Sequence, residues 1–392
     1  MLDALIFDID GTLLNSNPAH VEAWAEAFAE FGYRIAPDRI EPEIGKGGDR
    51  LVPDVLGAGA EARLGEALRK RQTEILLELV RRDPVEVIPG ALELLDATRA
   101  RGLCAALATS STRSHLDALL ASARVDLCAH VDAVVTRGPG DASKPAPDLV
   151  VAAVNQVGLA PTQCAMVGDT RFDAIAACRA GVTCLAVCSG GKTAAELLGG
   201  GARGVWRDCA DLLDDLDEAL TVASPAGGRL TADLLAQLMR AALEEAHDGL
   251  RAGEAPIGCV IADGDHRVVA RAHHRVGGSA DPTAHAEMLA LRRLARQGGG
   301  HDGLVLVTTV EPCVMCLGAA IVAGVDTVLY ALAAPAGTGS RRVEPSRTGH
   351  HQLPRIVGGV LAEDSRALLG EWLLAGSGVH RTVCAQHFAA TA

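Results

Sequence analysis

Pro282-Thr-Ala-His-Ala-Glu287, the strand-like Val305-Leu-Val-Thr-Thr309 and Glu311-Pro-Cys-Val-Met-Cys316 follow one another within one short stretch of the chain. Together they supply one imidazole, His285, and two thiols, Cys313 and Cys316. Three ligands suit a catalytic zinc site that keeps a position for water, whereas structural sites are closed by four. Pro312 suits the first turn of a helix, which predicts both thiols at the positive end of a helix dipole, where thiolates are favoured. Glu287 is the spare carboxylate that such a site needs to move a proton. Spacing alone does not bring His285 and Glu287 to one side, because i and i+2 diverge on a helix.

The pattern His-x-Glu followed by Pro-Cys-x-x-Cys is a signature of zinc deaminases of nucleobases. The stretch resembles the cytidine/deoxycytidylate deaminase superfamily, and within it the branch of guanine deaminases and tRNA adenosine deaminases. That resemblance is carried by Asp281-Pro-Thr-Ala-His-Ala-Glu287, by Glu311-Pro-Cys-Val-Met-Cys-Leu-Gly-Ala319 and by Gly253-Glu-Ala-Pro-Ile-Gly258, and it spans residues 229–376. It implies Zn²⁺ held by His285, Cys313 and Cys316, hydrolytic removal of a ring amino group, and Glu287 as the proton carrier. A redox pair or a structural knuckle would leave His285 and Glu287 without a purpose. One departure stands out. The relatives carry a base-binding asparagine where this chain has His274, beside His273. An imidazole does not present an amide's paired donor and acceptor. His274 is therefore a candidate substrate contact for a different base, with a plain strand-end histidine as the alternative. His350-His351 reads as an exposed loop.

Working back from this stretch, a helix is expected from Arg229 to Leu250, then strands near Ile257–Ala262, Arg267–His274, Leu304–Thr309 and Thr327–Leu332. Helices are expected through Leu289 and Leu294, from Cys313, and around Glu363–Leu374. The resemblance implies an α/β/α domain with a mixed sheet over residues 229–392.

Val222-Ala-Ser-Pro-Ala-Gly-Gly228 is small and Pro/Gly-rich without apolar periodicity, so residues 223–228 read as a linker. Before it, Leu2-Asp-Ala-Leu-Ile-Phe-Asp-Ile-Asp10 is an apolar strand ending in two carboxylates, Asp8 and Asp10, which alternation turns to one face. Leu103–Ala108 runs into Thr109-Ser110, Ala165–Gly168 runs into Asp169-Thr170, and Ser143-Lys144-Pro145 precedes a helix-like Asp148–Val157. Strands alternating with amphipathic helices from 90 to 220 predict a doubly wound parallel sheet, with the acids at the carboxyl ends of strands where ligands sit.

Such a set of parts fits phosphoryl transfer. One carboxylate attacks phosphorus, a second handles the leaving-group proton, and Mg²⁺ and a lysine offset the anionic charge. The first 222 residues resemble the haloacid dehalogenase superfamily of phosphatases. The resemblance implies Asp8 as nucleophile and Asp10 as general acid/base. Thr109, the Ser110 amide and Lys144 are implied to hold phosphate, and Asp8, Asp10, Asp169 and Asp173 to hold Mg²⁺. Asp173 also reads as an ordinary helix-start acid. Residues 15–85 show helical periodicity, and in this superfamily an insertion there is a cap that closes over the site. The glycine-rich turn Ile44–Arg50 is its substrate-facing loop in this reading, with Lys46 and Arg50 as candidate contacts to a polar or anionic group.

The 392 residues carry a formal net charge of -13. All four lysines, Lys46, Lys70, Lys144 and Lys192, lie in the first half, and the second uses only arginine. Neither half has the basic excess of a phosphate-backbone binder, and aromatics are too few for a stacking platform; Arg341-Arg342 is the one local basic pair noted. These features favour a small nucleotide-like substrate over nucleic acid. No apolar run is long enough to span a bilayer, and no basic leader opens the chain. The 11 cysteines are odd in number and scattered, which argues against a disulfide framework. Cys104, Cys164 and Cys184 read as small core residues. A cytoplasmic address and a homodimer, by family habit, are expected. The whole reads as a bifunctional phosphatase and deaminase acting on two steps of one pathway. Its rivals are a tRNA adenosine deaminase with an accessory domain and a deaminase with a non-catalytic first domain. A phosphomutase uses the same two aspartates as a phosphatase.

Overall fold

The computed structural model describes residues 2–138, 142–224, 230–279, 281–298, 302–334, 339–343 and 352–374. They form two units with separate cores, one ending at Ser224 and one spanning Leu230 to Leu374 among the described residues. The expected linker starts on the last residue of a helix, Leu216–Ala223, and Pro225–Gly228 lie outside the described residues. His350 and His351 and the side chains of Arg341 and Arg342 lie outside them too.

In the first unit six strands form one sheet: β1 (Ala4–Phe7), β2 (Cys104–Thr109), β3 (Ala133–Thr136), β4 (Cys164–Gly168), β5 (Thr183–Val187) and β6 (Ala202–Trp206). Their order is β3-β2-β1-β4-β5-β6 and every pair is parallel. The inner strands are apolar throughout because both faces are covered. Ala4, Ile6, Ala106, Met166 and Cys184 pack on one face, and Leu5, Phe7, Leu107, Val167 and Leu185 pack on the other. Each fully buried Leu or Ile of this kind contributes about 1.5–3 kcal/mol relative to exposure. Cys164 and Cys184 are buried as expected, while Cys104 at the head of β2 is half-buried.

Between β1 and the helix Ala91–Ala100 that precedes β2 lie the helices Asn17–Glu30, Pro37–Ile40, Gly48–Leu56 and Ala58–Arg82. Their apolar faces close on a core of their own around Trp24, Phe28, Ile40, Leu51, Val52 and Leu68, with Trp24 and Phe28 rings 5.4 Å apart. The glycine-rich turn is shorter than its sequence suggests. Gly48 is already helical, so Asp49 and Arg50 sit in the first turn of a helix.

The second unit has β7 (Gly258–Ala262), β8 (Val268–His273), β9 (Val305–Val310), β10 (Thr327–Leu332) and β11 (Arg355–Val357). Their order is β11-β10-β9-β7-β8, with β7 antiparallel to both neighbours and β9, β10 and β11 parallel. The Ala232–Arg251 helix covers one face through Leu235, Leu238, Met239 and Leu243. No helix among the described residues is long and apolar enough to cross a membrane.

Candidate active sites

In the second unit both motif segments open helices. His285 precedes the helix Ala286–Gln297 as its N-cap, and Cys313 does the same for Val314–Val322. Pro312 therefore stands one residue before the cap, not in the first turn; Cys313 is the cap and Cys316 the third helical residue. Both sulfurs still lie at the positive end of the dipole. His285 has extended backbone angles, φ -68 and ψ 150, so the divergence of i and i+2 on a helix does not apply to it and Glu287. Both residues reach Cys316: His285 Nδ1 lies 3.5 Å from its sulfur, and Glu287 Oε2 also 3.5 Å.

Cys313 Sγ is 3.7 Å from His285 Nδ1 and 3.6 Å from Cys316 Sγ. Ligands bound tetrahedrally at zinc's usual bond lengths stand about 3.5–3.8 Å apart, so this donor set fits zinc. The three form one cluster of metal-binding donors to which Glu287 does not belong. The contact between the two sulfurs brings the Cys313 thiol down to about 3 against burial, and His285 assists. That same contact, burial and Glu287 push Cys316 up. Burial raises Glu287, which is 4 % exposed and accepts from Thr308 Oγ1 at 3.3 Å. A buried carboxyl with a raised pKa is suited to taking and returning a proton near neutral pH.

The rings of His274 and His285 lie 5.2 Å apart, so His274 stands beside the metal-binding trio. Two buried acids, not assigned a role in the sequence reading, hold neighbouring loops. Glu254 accepts from the amides of Gly277 and Gly278 at 3.0 and 2.5 Å. Glu311 accepts from the amides of Ala334 and Ser340 at 2.8 and 2.9 Å. Thus the flanking motif residues shape the loops around the trio.

In the first unit the functional side chains come from the carboxyl ends of four adjacent strands, as open α/β sheets require. Asp8 and Asp10 follow β1, Thr109 ends β2, Lys144 follows β3 and Asp169 follows β4. Lys144 is 2 % exposed and donates to Asp8 Oδ1 at 2.5 Å while pairing with Asp173 Oδ1 at 2.6 Å. Asp173 also caps its own helix, accepting from Thr170 N and Thr170 Oγ1 at 3.0 and 2.5 Å. The helix-start reading of Asp173 describes these bonds. Thr109 is buried and its hydroxyl accepts from the Ser111 amide at 3.0 Å.

Asp8, Asp169 and Asp173 form a buried cluster of metal-binding oxygens. Asp10 is not in that cluster; its carboxylate accepts from Ser16 Oγ at 2.6 Å and Ser111 Oγ at 3.4 Å and pairs with His20 at 3.2 Å. Burial raises Asp8 to about 7 against the pull of Lys144. Burial, with Asp173 and Asp8 nearby, pushes Asp169 well up. The attraction of Asp173 and Asp8 overcomes burial and raises Lys144. Burial alone would raise Asp10, but His20, Ser16 and Lys144 together bring it down to about 2. Three buried carboxyls against one buried ammonium leave negative charge uncompensated, which fits a divalent cation. Asn17 Nδ2 and Thr12 Oγ1 donate to Asp169 at 2.9 and 3.3 Å, and glycines 11 and 190 leave the room it occupies, since a Cβ at either would collide with it.

Asp8, Asp10, Ser110 and Lys144 line a cavity of about 290 Å³ that extends under the cap helices. Lys46 lines it too, but its ammonium is engaged by Glu43 and by Asp54 and lies over the Phe172 ring at 4.7 Å. Arg50 is exposed and is not part of the lining. His20, Arg69, Lys70 and Gln72, none of which was singled out from the sequence, do line it.

Comparison with known proteins gives two family matches. Residues 2–181 match haloacid dehalogenase-like hydrolase, and residues 233–332 match the cytidine and deoxycytidylate deaminase zinc-binding region. Protein CbbY of Rhodobacter capsulatus is 34% identical over 189 residues, 46% of this chain and 83% of CbbY. The tRNA(Ile)-lysidine synthase of Deinococcus deserti is 37% identical over 143 residues, 35% of this chain but 26% of that protein. The crystal structure of a hydrolase from Pseudomonas syringae superposes with a TM-score of 0.51 at 32% identity, covering 55% of this chain and 98% of that one.

Proposed function

Because this chain belongs to the haloacid dehalogenase-like hydrolases and continues into a cytidine and deoxycytidylate deaminase zinc-binding region, we propose that it is a bifunctional enzyme that removes phosphate from a nucleotide-like metabolite and hydrolyses an amino group from a nucleobase or nucleoside. The observation that carries this reading is that each unit gathers a metal-fitting cluster beside a separate carboxyl: Glu287 beside His285, Cys313 and Cys316, and Asp10 beside Asp8, Asp169 and Asp173.

In the first unit Asp8 forms a bond to phosphorus as the ester oxygen leaves. Asp10 is the carboxyl placed to exchange the proton of that oxygen and later that of the water that cleaves the acyl phosphate; a phosphate anion bound beside Lys144 opposes the pull that otherwise holds this carboxyl low. Lys144 holds the phosphoryl oxygens and Thr109 and Ser110 complete the cradle. The Asp8, Asp169 and Asp173 carboxylates would hold Mg²⁺, which would neutralise charge there. In the second unit His285, Cys313 and Cys316 would hold Zn²⁺, which would make a water more acidic there. Glu287 would take one proton from the attacking water and pass it to the ring nitrogen as the C–O bond forms, then take the second and pass it to the amine as the C–N bond breaks and ammonia leaves, with His274 orienting the base.

The two activities are two steps of one pathway in this reading, supported by their union in one chain. A reducing, cytoplasmic setting suits the two thiol ligands. Val314 and Val322, 50% and 69% exposed on the helix that carries Cys316, support a homodimer through that face. Ammonia and phosphate release across aminopurine and aminopyrimidine nucleotides tests the reading. Ammonia release that persists unchanged in Glu287→Ala, or phosphate release that persists in Asp8→Asn, would sink the corresponding half. The likeness to a tRNA(Ile)-lysidine synthase favours one second reading, a deaminase acting on tRNA. Binding of tRNA that weakens steeply with salt would favour it.

A further inference from the structure

The cap side of the phosphoryl cavity carries a polar group that the chemistry above does not use. Gln72 is 6% exposed, lines the cavity that holds Asp8 and Asp10, and its amide nitrogen is buried with no hydrogen-bond partner. It lies on the Ala58–Arg82 helix, and Arg69 and Thr73, three residues before it and one after, line the same cavity. That spacing is one helical face. Leaving a buried donor unsatisfied is costly, and an apolar side chain of the same shape would serve the cap's packing better. The charged neighbours are already engaged: Arg69 by Glu61 at 2.7 Å, and Lys46 by Glu43 and Asp54. Lys70 is exposed at the rim. A buried donor left without a partner inside the cavity is therefore a neutral amide.

Resting on the phosphatase reading, we propose that Gln72 is a specificity-determining residue, donating its amide N–H to a neutral oxygen on the leaving group of the phosphomonoester. Either a sugar hydroxyl or a ring carbonyl presents such an oxygen. Phenyl phosphate lacks it and serves as the reference.

The full chain in Mg²⁺ is assayed on phenyl phosphate, ribose 5-phosphate and uridine 5′-monophosphate, as wild type and as Gln72→Leu. Gln72→Met, closer in shape, is the second variant should the first fail to fold. The expected result is a wild-type preference in kcat/KM for at least one of the two oxygen-bearing esters. The apolar variant should lose that preference by about tenfold or more, keep phenyl phosphate turnover within about twofold, and melt no lower than wild type. Loss on ribose 5-phosphate assigns the contact to the sugar; loss on uridine 5′-monophosphate alone assigns it to the base. A preference that survives the substitution, an equal fall on all three esters, or no preference in wild type overturns the proposal. Absence of phosphate release from every ester in wild type overturns the phosphatase reading itself.

Discussion

The two candidate sites handle negative charge in opposite ways. The phosphoryl site carries its own counter-charge: Lys144 is buried between Asp8 and Asp173, and the residual excess of carboxyls is what a divalent ion would offset. The zinc-fitting site has no buried ammonium or guanidinium among its described partners; the starts of two helices, each the positive end of its dipole, lie behind it. The difference teaches that the first cluster carries a side-chain cation of its own, whereas the second holds none among its described partners.

The sharpest way to break this comparison is to remove the proton carrier where no structural charge is lost. Glu287→Gln is expected to lower ammonia release by about 10²–10⁴-fold, with zinc content by elemental analysis and phosphate release unchanged. Loss of zinc in this variant would show that Glu287 belongs to the ligand set. Next, Lys144→Met strands Asp8 and Asp173 without their counter-ion. It is expected to cost about 3–5 kcal/mol of first-unit stability, read in urea unfolding, and to abolish phosphate release while ammonia release persists. Magnesium should recover part of the loss. The smallest effect concerns Asp10, whose pKa of about 2 lies below the ordinary 3.8. Its stabilising contribution is full above the ordinary value and is lost as pH falls through the folded one. His20→Asn should therefore cost about 1–2 kcal/mol at pH 5. The gap between variant and wild type should close as the pH is taken toward 2; a gap constant with pH would assign His20 a packing role instead.

Much of both sites is readable in the sequence because the chemistry-bearing residues sit at strand ends or helix starts in short fixed spacings. Asp8 and Asp10 close an apolar run, and His285 and Cys313 each precede a helix. What the sequence hides are the residues that hold these groups. His20 and Asn17 belong to an amphipathic cap helix whose polar positions look alike, yet one pairs with Asp10 and the other with Asp169. Gln72 is concealed for the same reason, since helical periodicity marks buried apolar positions and passes over a buried amide. Lys46 misled in the other direction: a lysine in a glycine-rich turn reads as available, but Glu43 and Asp54 claim it in the fold. The edge strand β11 escaped notice because it is three residues long and opens on Arg355, whose charge is met inside by Asp326.

The bond between Lys144 and Asp8 joins positions separated by 136 residues. A ribosome making this chain releases the acid almost at once and the base only after the cap and three strands of the sheet have emerged. Until then the acid has no reason to leave water, so β1 should stay unsettled through most of synthesis of the first unit. Cys313 and His285 lie 28 residues apart and face no such wait.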